Sequence, residues 1–348
     1  MRQKLIVNDV HLGVTRSAGT TPKTSAQLRA YLLSNLETLM FEHKDKDIIF
    51  NGDVFDEFDV PLTEAFEFLM LCRKWLDVSE GTLYLAEGNH DLSKNSANMC
   101  SLAFVAKALN SDRVVLIEQT THLEDAKILV IPHVANQDLF DLELAKAAEM
   151  SDTLILVHAN YDNNFAVKSD HSLNVSAEQA HKVIENANTL LFGHEHQQRN
   201  VHKRIQVAGN QWPSSVADCL GNNSKKAFIF DPVSRSMNTV ETWTREGSYA
   251  EIDWQFLGQA EDSEFVRVVG DCATEQAAEM ISEISKFRQR SDAFVVTNAV
   301  SVAGVVAMQD LPANLENVKG FDVMGYLFEN LDDAQVAVVK GLLEKANG

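Results

Sequence analysis

Gly88-Asn89-His90-Asp91 follows the apolar run of residues 82–86, with only Glu87 between them. An apolar run that ends in Gly, Asn, His and Asp is typical of a buried strand that delivers polar side chains to the edge of a sheet. Four more strand-like runs end in the same way, in Asp9-Val10-His11, Gly52-Asp53-Val54-Phe55-Asp56, His158 and Gly193-His194-Glu195-His196. Each motif alone is weak evidence, but five strand ends of this kind in one chain predict a metal site.

Predicted strands and helices alternate over the first two hundred residues, which is typical of an α/β sheet with helices on both faces. The helices are predicted at residues 25–43, 62–75, 96–109, 137–150 and 177–186. After His196, short strands at 205–208, 226–230 and 238–242 predict a second, antiparallel sheet. Two sheets packed face to face between outer helices form a four-layer α/β/β/α sandwich.

The C-terminal third of the chain has a different pattern. Residues 265–269, 274–290 and 293–298 predict a small βαβ unit, after a stretch near 247–261 without clear periodicity. Residues 320–348 are amphipathic and predict a terminal helical segment that either packs on its own domain or docks on a partner. The predicted domains are therefore 1–245, 262–300 and 320–348.

Composition limits the class of protein. The chain has 348 residues and a formal net charge of −20, which argues against a large basic surface that grips nucleic acid unaided. Four cysteines lie scattered without CxxC spacing, as expected of free thiols in a reducing compartment. We find neither an apolar run of about 18 residues nor a signal-peptide pattern, so the sequence predicts a cytoplasmic protein without membrane association.

Seven side chains are candidate metal ligands. They are two Asp, one Asn and four His: Asp9, His11, Asp53, Asn89, His158, His194 and His196. Nitrogen and oxygen donors without thiolates favour Mn²⁺, Fe or Zn²⁺ over Ca²⁺ or a cysteine zinc site. Seven ligands are too many for one ion and suit two ions that share Asp53, the arrangement used for phosphoryl displacement at a metal separation of about 3.5–4 Å. Asp9 and His11, two apart on an extended segment, are predicted to face the same ion.

Three further residues are candidates for catalytic roles. His90 adjoins a ligand and can stabilise a transition state or protonate a leaving oxygen. Asp91 is predicted to orient His90 through its other ring nitrogen, and Asp56 to do similar work on the opposite rim. The remaining histidines lack this context and are interpreted as ordinary: His43, His122, His133, His171, His181 and His202.

These motifs together resemble the calcineurin-like metallophosphoesterases over about residues 4–200. The resemblance implies a four-layer sandwich and makes His90 the catalytic histidine. It also implies two metal sites that share one ligand: Asp9, His11, Asp53 and His196 in the first, and Asp53, Asn89, His158 and His194 in the second.

Within that family the chain is most similar to compact SbcD-type DNA repair nucleases. The similarity lies in Asp9-Val10-His11-Leu12-Gly13, Gly52-Asp53-Val54-Phe55-Asp56 with Pro61 after it, and residues 207–213. It implies a capping role for residues 262–300 and docking of the terminal segment on an SbcC-like ATPase. It also implies a homodimer, for which residues 62–75 and 96–109 are the candidate interface.

Our first functional hypothesis is a Mn²⁺-dependent phosphodiesterase that acts on DNA in repair and recombination, as an exo- or endonuclease subunit with an SbcC-like ATPase. The alternative is a phosphoesterase for small substrates such as phosphomonoesters or cyclic nucleotides. A third reading is a non-catalytic scaffold, whose sign would be a missing ligand. All seven candidate ligands are present.

Overall fold

The computed structural model describes residues 1–15, 19–92, 98–134, 136–163, 172–260 and 263–303. By internal packing the chain divides into a unit of residues 1–300 and a second unit of residues 301–348. In the second unit only residues 301–303 are described, and they contain the short strand Ser301–Val302. The predicted terminal helices lie outside the described residues.

The described helices are α1 (Pro22–Glu42), α2 (Leu62–Val78), α3 (Ser101–Leu109), α4 (Gln137–Glu149), α5 (Ala177–Ile184) and α6 (Ala277–Arg290). The strands are β1 (Lys4–Val7), β2 (Asp47–Asn51), β3 (Leu83–Ala86), β4 (Val114–Ile117), β5 (Thr121–Leu123), β6 (Ile128–Ile131), β7 (Leu154–His158), β8 (Asn160–Tyr161), β9 (Asn174–Val175), β10 (Thr189–Gly193), β11 (Arg199–His202), β12 (Ile205–Val207), β13 (Ser224–Phe230), β14 (Met237–Thr244), β15 (Tyr249–Asp253), β16 (Phe265–Val269), β17 (Asp271–Cys272) and β18 (Val295–Asn298).

Two six-stranded sheets form the centre of this unit. The first has the order β14-β13-β1-β2-β3-β4, and its strands β1 to β4 are parallel. The second has the order β11-β12-β10-β7-β6-β5, and β6, β7, β10 and β12 are parallel. Parallel strands end at one edge of a sheet, so each sheet gathers the polar segments that follow its strands.

The strands after His196 correct one prediction. They do not form a separate antiparallel sheet, because the chain returns to the first sheet, where β13 pairs antiparallel with β1 and β14 adds to β13. Of the described strands after His196, β11 and β12 join the second sheet, and β12 does so parallel to β10. The second sheet is therefore mostly parallel.

Alternation along the strands explains the layers. Leu5 and Val7 belong to the hydrophobic cluster under α1 to α3, whereas Ile6 between them belongs to the cluster between the two sheets. On the second sheet, Ile155 and Val157 pack toward α4 and α5, and the residues that alternate with them face the first sheet. A strand has a side-chain period of two, so both faces of each sheet are apolar and covered. The predicted sandwich of two sheets flanked by helices is confirmed.

Local capping shifts several predicted helix starts. Helix α1 begins at Pro22 rather than residue 25, because Thr21 and Thr24 form a reciprocal capping box ahead of it. Helix α3 begins at Ser101 because the Cys100 side chain accepts a hydrogen bond from the main-chain nitrogen of Ala103. The predicted start of α3 at residue 96 falls among the undescribed residues 93–97.

The predicted βαβ unit is present. Strands β16 and β18 are parallel and α6 connects them. Strand β15 pairs parallel with β16 and lies in the stretch for which the sequence predicted no element. The rings of Phe265 and Phe294 pack against Tyr31 of α1, which joins the unit to the helical face of the first sheet. Across the described part of the chain, we find no helix with the length and apolar character needed to span a membrane.

Candidate metal centre

The ends of β1 and β2 are tied to each other by main-chain hydrogen bonds. The nitrogen of Asp9 donates to the Gly52 carbonyl oxygen at 3.2 Å, and the nitrogen of His11 donates to the Asp53 carbonyl oxygen at 3.1 Å. Asp9, His11 and Asp53 are all at most 2% exposed. Their polar side chains are therefore held at a fixed, nearly dry position just beyond the sheet edge.

Four candidate ligands have left-handed backbone conformations. The φ angles are 50° for Asp9, 53° for His11, 50° for Asp53 and 84° for His194. Such a conformation costs a non-glycine residue on the order of 1–3 kcal/mol, and such residues cluster at functional sites. The prediction that Asp9 and His11 lie on an extended segment is wrong. The backbone turns sharply at both residues, because the chain must leave the sheet while both side chains remain at its edge.

The first group of candidate ligands joins the two sheets. One ligand atom each from Asp9, His11 and His196 lies within 4.8 Å of the others. The Nε2 atoms of His11 and His196 are 2.9 Å apart, and the main-chain nitrogen of His194 donates to both carboxylate oxygens of Asp9. Residues from the ends of β1 and β10 thus meet at one point.

The second group lies beside the first. Ligand atoms of Asp53, His158 and His194 lie within 4.8 Å of one another. The side-chain oxygen Oδ1 of Asn89 is 3.0 Å from His158 Nε2 and 2.8 Å from His194 Nδ1. Asp53 also groups with His11 and His90, so its carboxylate lies between the two sets.

Two glycines make room for this carboxylate and its neighbour. A Cβ atom on Gly88 would lie 2.1 Å from Asp53 Oδ1, and one on Gly52 would lie 2.1 Å from His158 Nδ1. Gly52 also has a φ of 90°. Both positions of the strand-end motifs therefore require glycine for close approach.

The electrostatics of the cluster favour bound cations. Burial raises the pKa of Asp9, and the neighbouring Asp53 carboxylate raises it further against the pull of the surrounding imidazoles. Burial alone would lower the pKa of His158, but the Asp53 carboxylate 3.2 Å away raises it to about 9. Buried carboxylates thus draw positive charge into this site, and N/O donors at such spacing fit divalent metal ions.

A model of the calcineurin-like phosphoesterase family matches residues 4–198, a range that contains all seven candidate ligands. The chain belongs to this family. A search of curated proteins finds no match. Membership of this family points to a metal-dependent hydrolase. The clusters of His and Asp form a site that is compatible with two metal ions.

The phosphoesterase holds His90 differently from the predicted arrangement. Its ring atom Nδ1 lies 2.5 Å from the main-chain oxygen of Asp56, and its main-chain nitrogen donates to Asp53 Oδ1 at 2.9 Å. The Asp91 carboxylate instead accepts hydrogen bonds from the main-chain nitrogens of Gly88, Val54 and Phe55. The prediction that Asp91 orients the His90 ring is therefore wrong, because its oxygens bind the two turns that carry Asp53 and Asn89.

Burial raises the pKa of Asp91 to about 7, and the charge of Asp53 adds to this rise. Asp56, for which the sequence predicts a similar orienting role on the opposite rim, contacts another histidine through its side chain. Its carboxylate oxygen Oδ1 lies 3.3 Å from Nδ1 of His11, and its main-chain oxygen meets His90. Asp56 thus contacts one candidate ligand and the candidate catalytic histidine. Catalytic roles for Asp56 and Asp91 stay predictions.

Sequence reasoning missed Asp218, which lies behind His196. Its Oδ1 is 2.8 Å from His196 Nδ1. Burial would raise the pKa of Asp218, but the hydrogen bond from His196 and the main-chain nitrogens of its own loop hold it well below the usual range. Buried Lys225 donates to the main-chain oxygen of His196 at 3.0 Å. Neither residue directly follows the end of a parallel strand, which was the signal that identified the other site residues.

Two further features of the site were also missed. His133, for which the sequence predicts no role in the site, packs edge-on against His158 with ring centroids 6.3 Å apart, and burial lowers its pKa to about 4. Glu195 accepts a hydrogen bond from the main-chain nitrogen of Tyr161 at 2.6 Å and forms an ion pair with Arg199. This carboxylate therefore connects the loop after His158 to the segment that carries His194 and His196.

Proposed function

We propose that this phosphoesterase is a phosphodiesterase that cleaves DNA. The convergence of all seven candidate ligands and His90 at the ends of strands from both sheets supports metal-dependent phosphoester hydrolysis, which is the chemistry of this proposal. A complete constellation argues against the scaffold reading, since a vestigial site needs no strained backbone at four of its residues.

The residues divide between two ions that share one ligand. Asp9, His11, Asp53 and His196 would hold the first ion, and Asp53, Asn89, His158 and His194 the second. When bound, divalent ions such as Mn²⁺, Fe or Zn²⁺ neutralise phosphate charge and lower the pKa of coordinated water. The protein supplies rigid placement: the main-chain nitrogen of His90 fixes one Asp53 oxygen, and the main-chain oxygen of Asn51 fixes His158 through Nδ1 at 2.9 Å.

In the proposed reaction, His90 donates a proton to the departing sugar oxygen. Its Nδ1 donates to the Asp56 carbonyl oxygen, which leaves Nε2 as the ring atom that can act on a bound substrate. A protonated Nε2 can stabilise charge on a phosphate oxygen and then pass its proton to the departing sugar oxygen. The ring is held by the contact of Nδ1 with the main-chain oxygen of Asp56, and it packs edge-on against the ring of His11 with the centroids 5.0 Å apart.

The choice of DNA rests on the C-terminal part of the unit. The resemblance to compact SbcD-type nucleases gives the βαβ unit of β16, α6 and β18 a capping role over a polymeric substrate. The net charge of −20 favours the alternative of a small phosphoester, because an acidic surface repels a phosphate backbone. Under the DNA proposal, metal ions and a partner subunit supply the missing attraction.

Substrate comparison tests the proposal. With Mn²⁺, the purified chain should degrade linear duplex DNA faster than it hydrolyses nucleotides, cyclic nucleotides or phosphomonoesters at equal phosphate concentration. A chromogenic phosphodiester serves as the control that the metal centre is active. Turnover of that control and of small substrates, with intact DNA, would replace the DNA proposal with the alternative.

We also propose that the chain is a homodimer. Leu62, Phe66 and Met70 lie four residues apart on one stripe of α2 and are 80%, 59% and 38% exposed. Phe104 of the adjacent α3 is 44% exposed. An apolar stripe of this kind on the outer face of two packed helices fits a second copy of the same stripe.

A charged side chain in this stripe should weaken the dimer. We expect Phe66→Glu to shift the chain from dimer to monomer in size-exclusion chromatography with light scattering, because it buries a charge against an apolar partner. Leu139→Glu is the control, since Leu139 of α4 is equally exposed at 59% on another helix. A wild-type chain that is monomeric at all concentrations would contradict the proposal.

The SbcC-like ATPase is the proposed partner, and residues 320–348 are the proposed docking segment. Co-expression of such an ATPase with the full chain should give a complex that purifies together. Removal of residues 320–348 should abolish the complex and leave Mn²⁺-dependent cleavage intact. Loss of folding on truncation would instead support the alternative, in which this segment packs on its own domain.

A further inference from the structure

Asp218 has the geometry of a residue that controls a candidate metal ligand. It lies in the single helical turn Ala217–Cys219, 22 residues after His196, and is 3% exposed. Its Oδ1 is 2.8 Å from the Nδ1 atom of His196. A carboxylate can only accept in such a contact, so the shared proton resides on Nδ1 of the imidazole.

The second carboxylate oxygen is fully engaged. Oδ2 accepts hydrogen bonds from the Ser214 nitrogen at 2.9 Å, the Ser214 hydroxyl at 3.2 Å and the Ser215 nitrogen at 2.9 Å. These donors fix the plane of the carboxylate and reserve Oδ1 for His196. The main chain of His196 is also held in place, since Lys225 donates a hydrogen bond to its main-chain oxygen.

The far ring nitrogen of His196 faces the first group of candidate ligands. Its Nε2 lies 2.9 Å from the Nε2 of His11, in the group that includes Asp9. An imidazole binds a metal through a nitrogen that carries a lone pair, and the hydrogen bond at the opposite nitrogen decides which one that is. With its proton on Nδ1, His196 presents a lone pair at Nε2.

We propose that Asp218 is a positioning residue that fixes the tautomer of His196 with the proton on Nδ1, so that Nε2 binds the first metal ion. This inference rests on the proposed metal centre and adds a residue to it. The competing explanation is structural, in which Asp218 only closes the loop of Ser214 and Ser215.

Asp218→Asn separates the two explanations. The three donors at Oδ2 still require an acceptor, so the Asn carbonyl oxygen turns toward them and its NH₂ group faces His196. An NH₂ group donates, which forces the His196 proton onto Nε2 and removes the lone pair from the metal side. The loop keeps its hydrogen bonds, so a purely structural role predicts little change.

The tautomer can be measured without metal or substrate. In metal-free protein labelled with ¹⁵N-histidine, at a pH above the titration of His196, long-range ¹H–¹⁵N spectra should show the proton on Nδ1 in wild type and on Nε2 in Asp218→Asn. His196→Gln identifies the signals. Calorimetry with Mn²⁺ should then show one of the two ions bound about 10–100-fold more weakly in Asp218→Asn.

Ser214→Ala is the matched control, because it removes one hydrogen bond of Asp218 and leaves the contact with His196. It should keep the wild-type tautomer and metal affinity. A wild-type His196 with its proton on Nε2 would overturn the proposal even if Asp218→Asn failed to fold. Unchanged tautomer and affinity in Asp218→Asn would also overturn it. The tautomer is read without metal, so its result is independent of whether the protein cleaves DNA.

Discussion

Asp53→Asn is expected to reduce metal-dependent phosphoester hydrolysis by at least about 10³-fold, since a metal ion contributes several kcal/mol and each 1.4 kcal/mol is a factor of ten. The Asp53 carboxylate groups with His11 on one side and with His158 and His194 on the other. An amide of the same size keeps the packing but removes the charge that both ions would share in the proposed centre. The loss should therefore appear as weaker binding of both ions and not of one alone.

The control for Asp53→Asn is Asp59→Asn. Asp59 follows in the same loop and is exposed, so its replacement removes the same formal charge without touching the cluster. We expect Asp59→Asn to match wild type in rate and in Mn²⁺ affinity, with circular dichroism to verify that both variants fold. Wild-type turnover by Asp53→Asn would exclude the bridging role.

His90→Gln is expected to lower kcat by about 10²–10⁴-fold while Mn²⁺ binding stays at the wild-type level. The side chain is half-buried beside the cluster, and its Nδ1 is occupied by the Asp56 carbonyl oxygen. Glutamine keeps a hydrogen-bond donor but cannot deliver a proton. The main-chain nitrogen that binds Asp53 is unaffected by the substitution, so the metal centre should remain.

Parallel measurements of rate and metal content decide between roles for His90. His122→Gln is the control, because His122 is exposed on β5 and should be neutral in both measurements. Loss of one ion in His90→Gln would make His90 a ligand, in keeping with its grouping with His11 and Asp53. Full activity would exclude any role in proton transfer.

The sequence predicted the candidate metal ligands better than the residues that hold those ligands in position. Apolar runs that end in Asp, Asn and His identify the ends of parallel strands, because a buried strand has one place to expose polar side chains. This pattern predicts that residues such as Asp9, Asn89 and His158 lie at one site. The pattern does not identify Asp218, because this residue lies in an isolated helical turn and its link to the site is a tertiary contact with His196.

The backbone conformation of the site residues also could not be predicted from the pattern of apolar and polar residues. A period of two implied an extended Asp9–His11 segment, but both residues are left-handed because tertiary hydrogen bonds to Gly52 and Asp53 hold them there. The sequence does not predict strand β15, because its apolar and polar residues alternate only weakly. Its extended conformation depends on pairing with β16. The course of β13 back to β1 was missed for a similar reason, because strand pairing is long-range and short strands carry no mark of their partner.

Crystals of the phosphoesterase soaked with Mn²⁺, measured at a wavelength with manganese anomalous signal, would show directly where metal ions bind. We expect two anomalous peaks per chain. One should lie among Asp9, His11 and His196, the other among Asn89, His158 and His194, with the Asp53 carboxylate between them. A single peak, or two peaks without Asp53 between them, would contradict a dinuclear centre built from these seven residues.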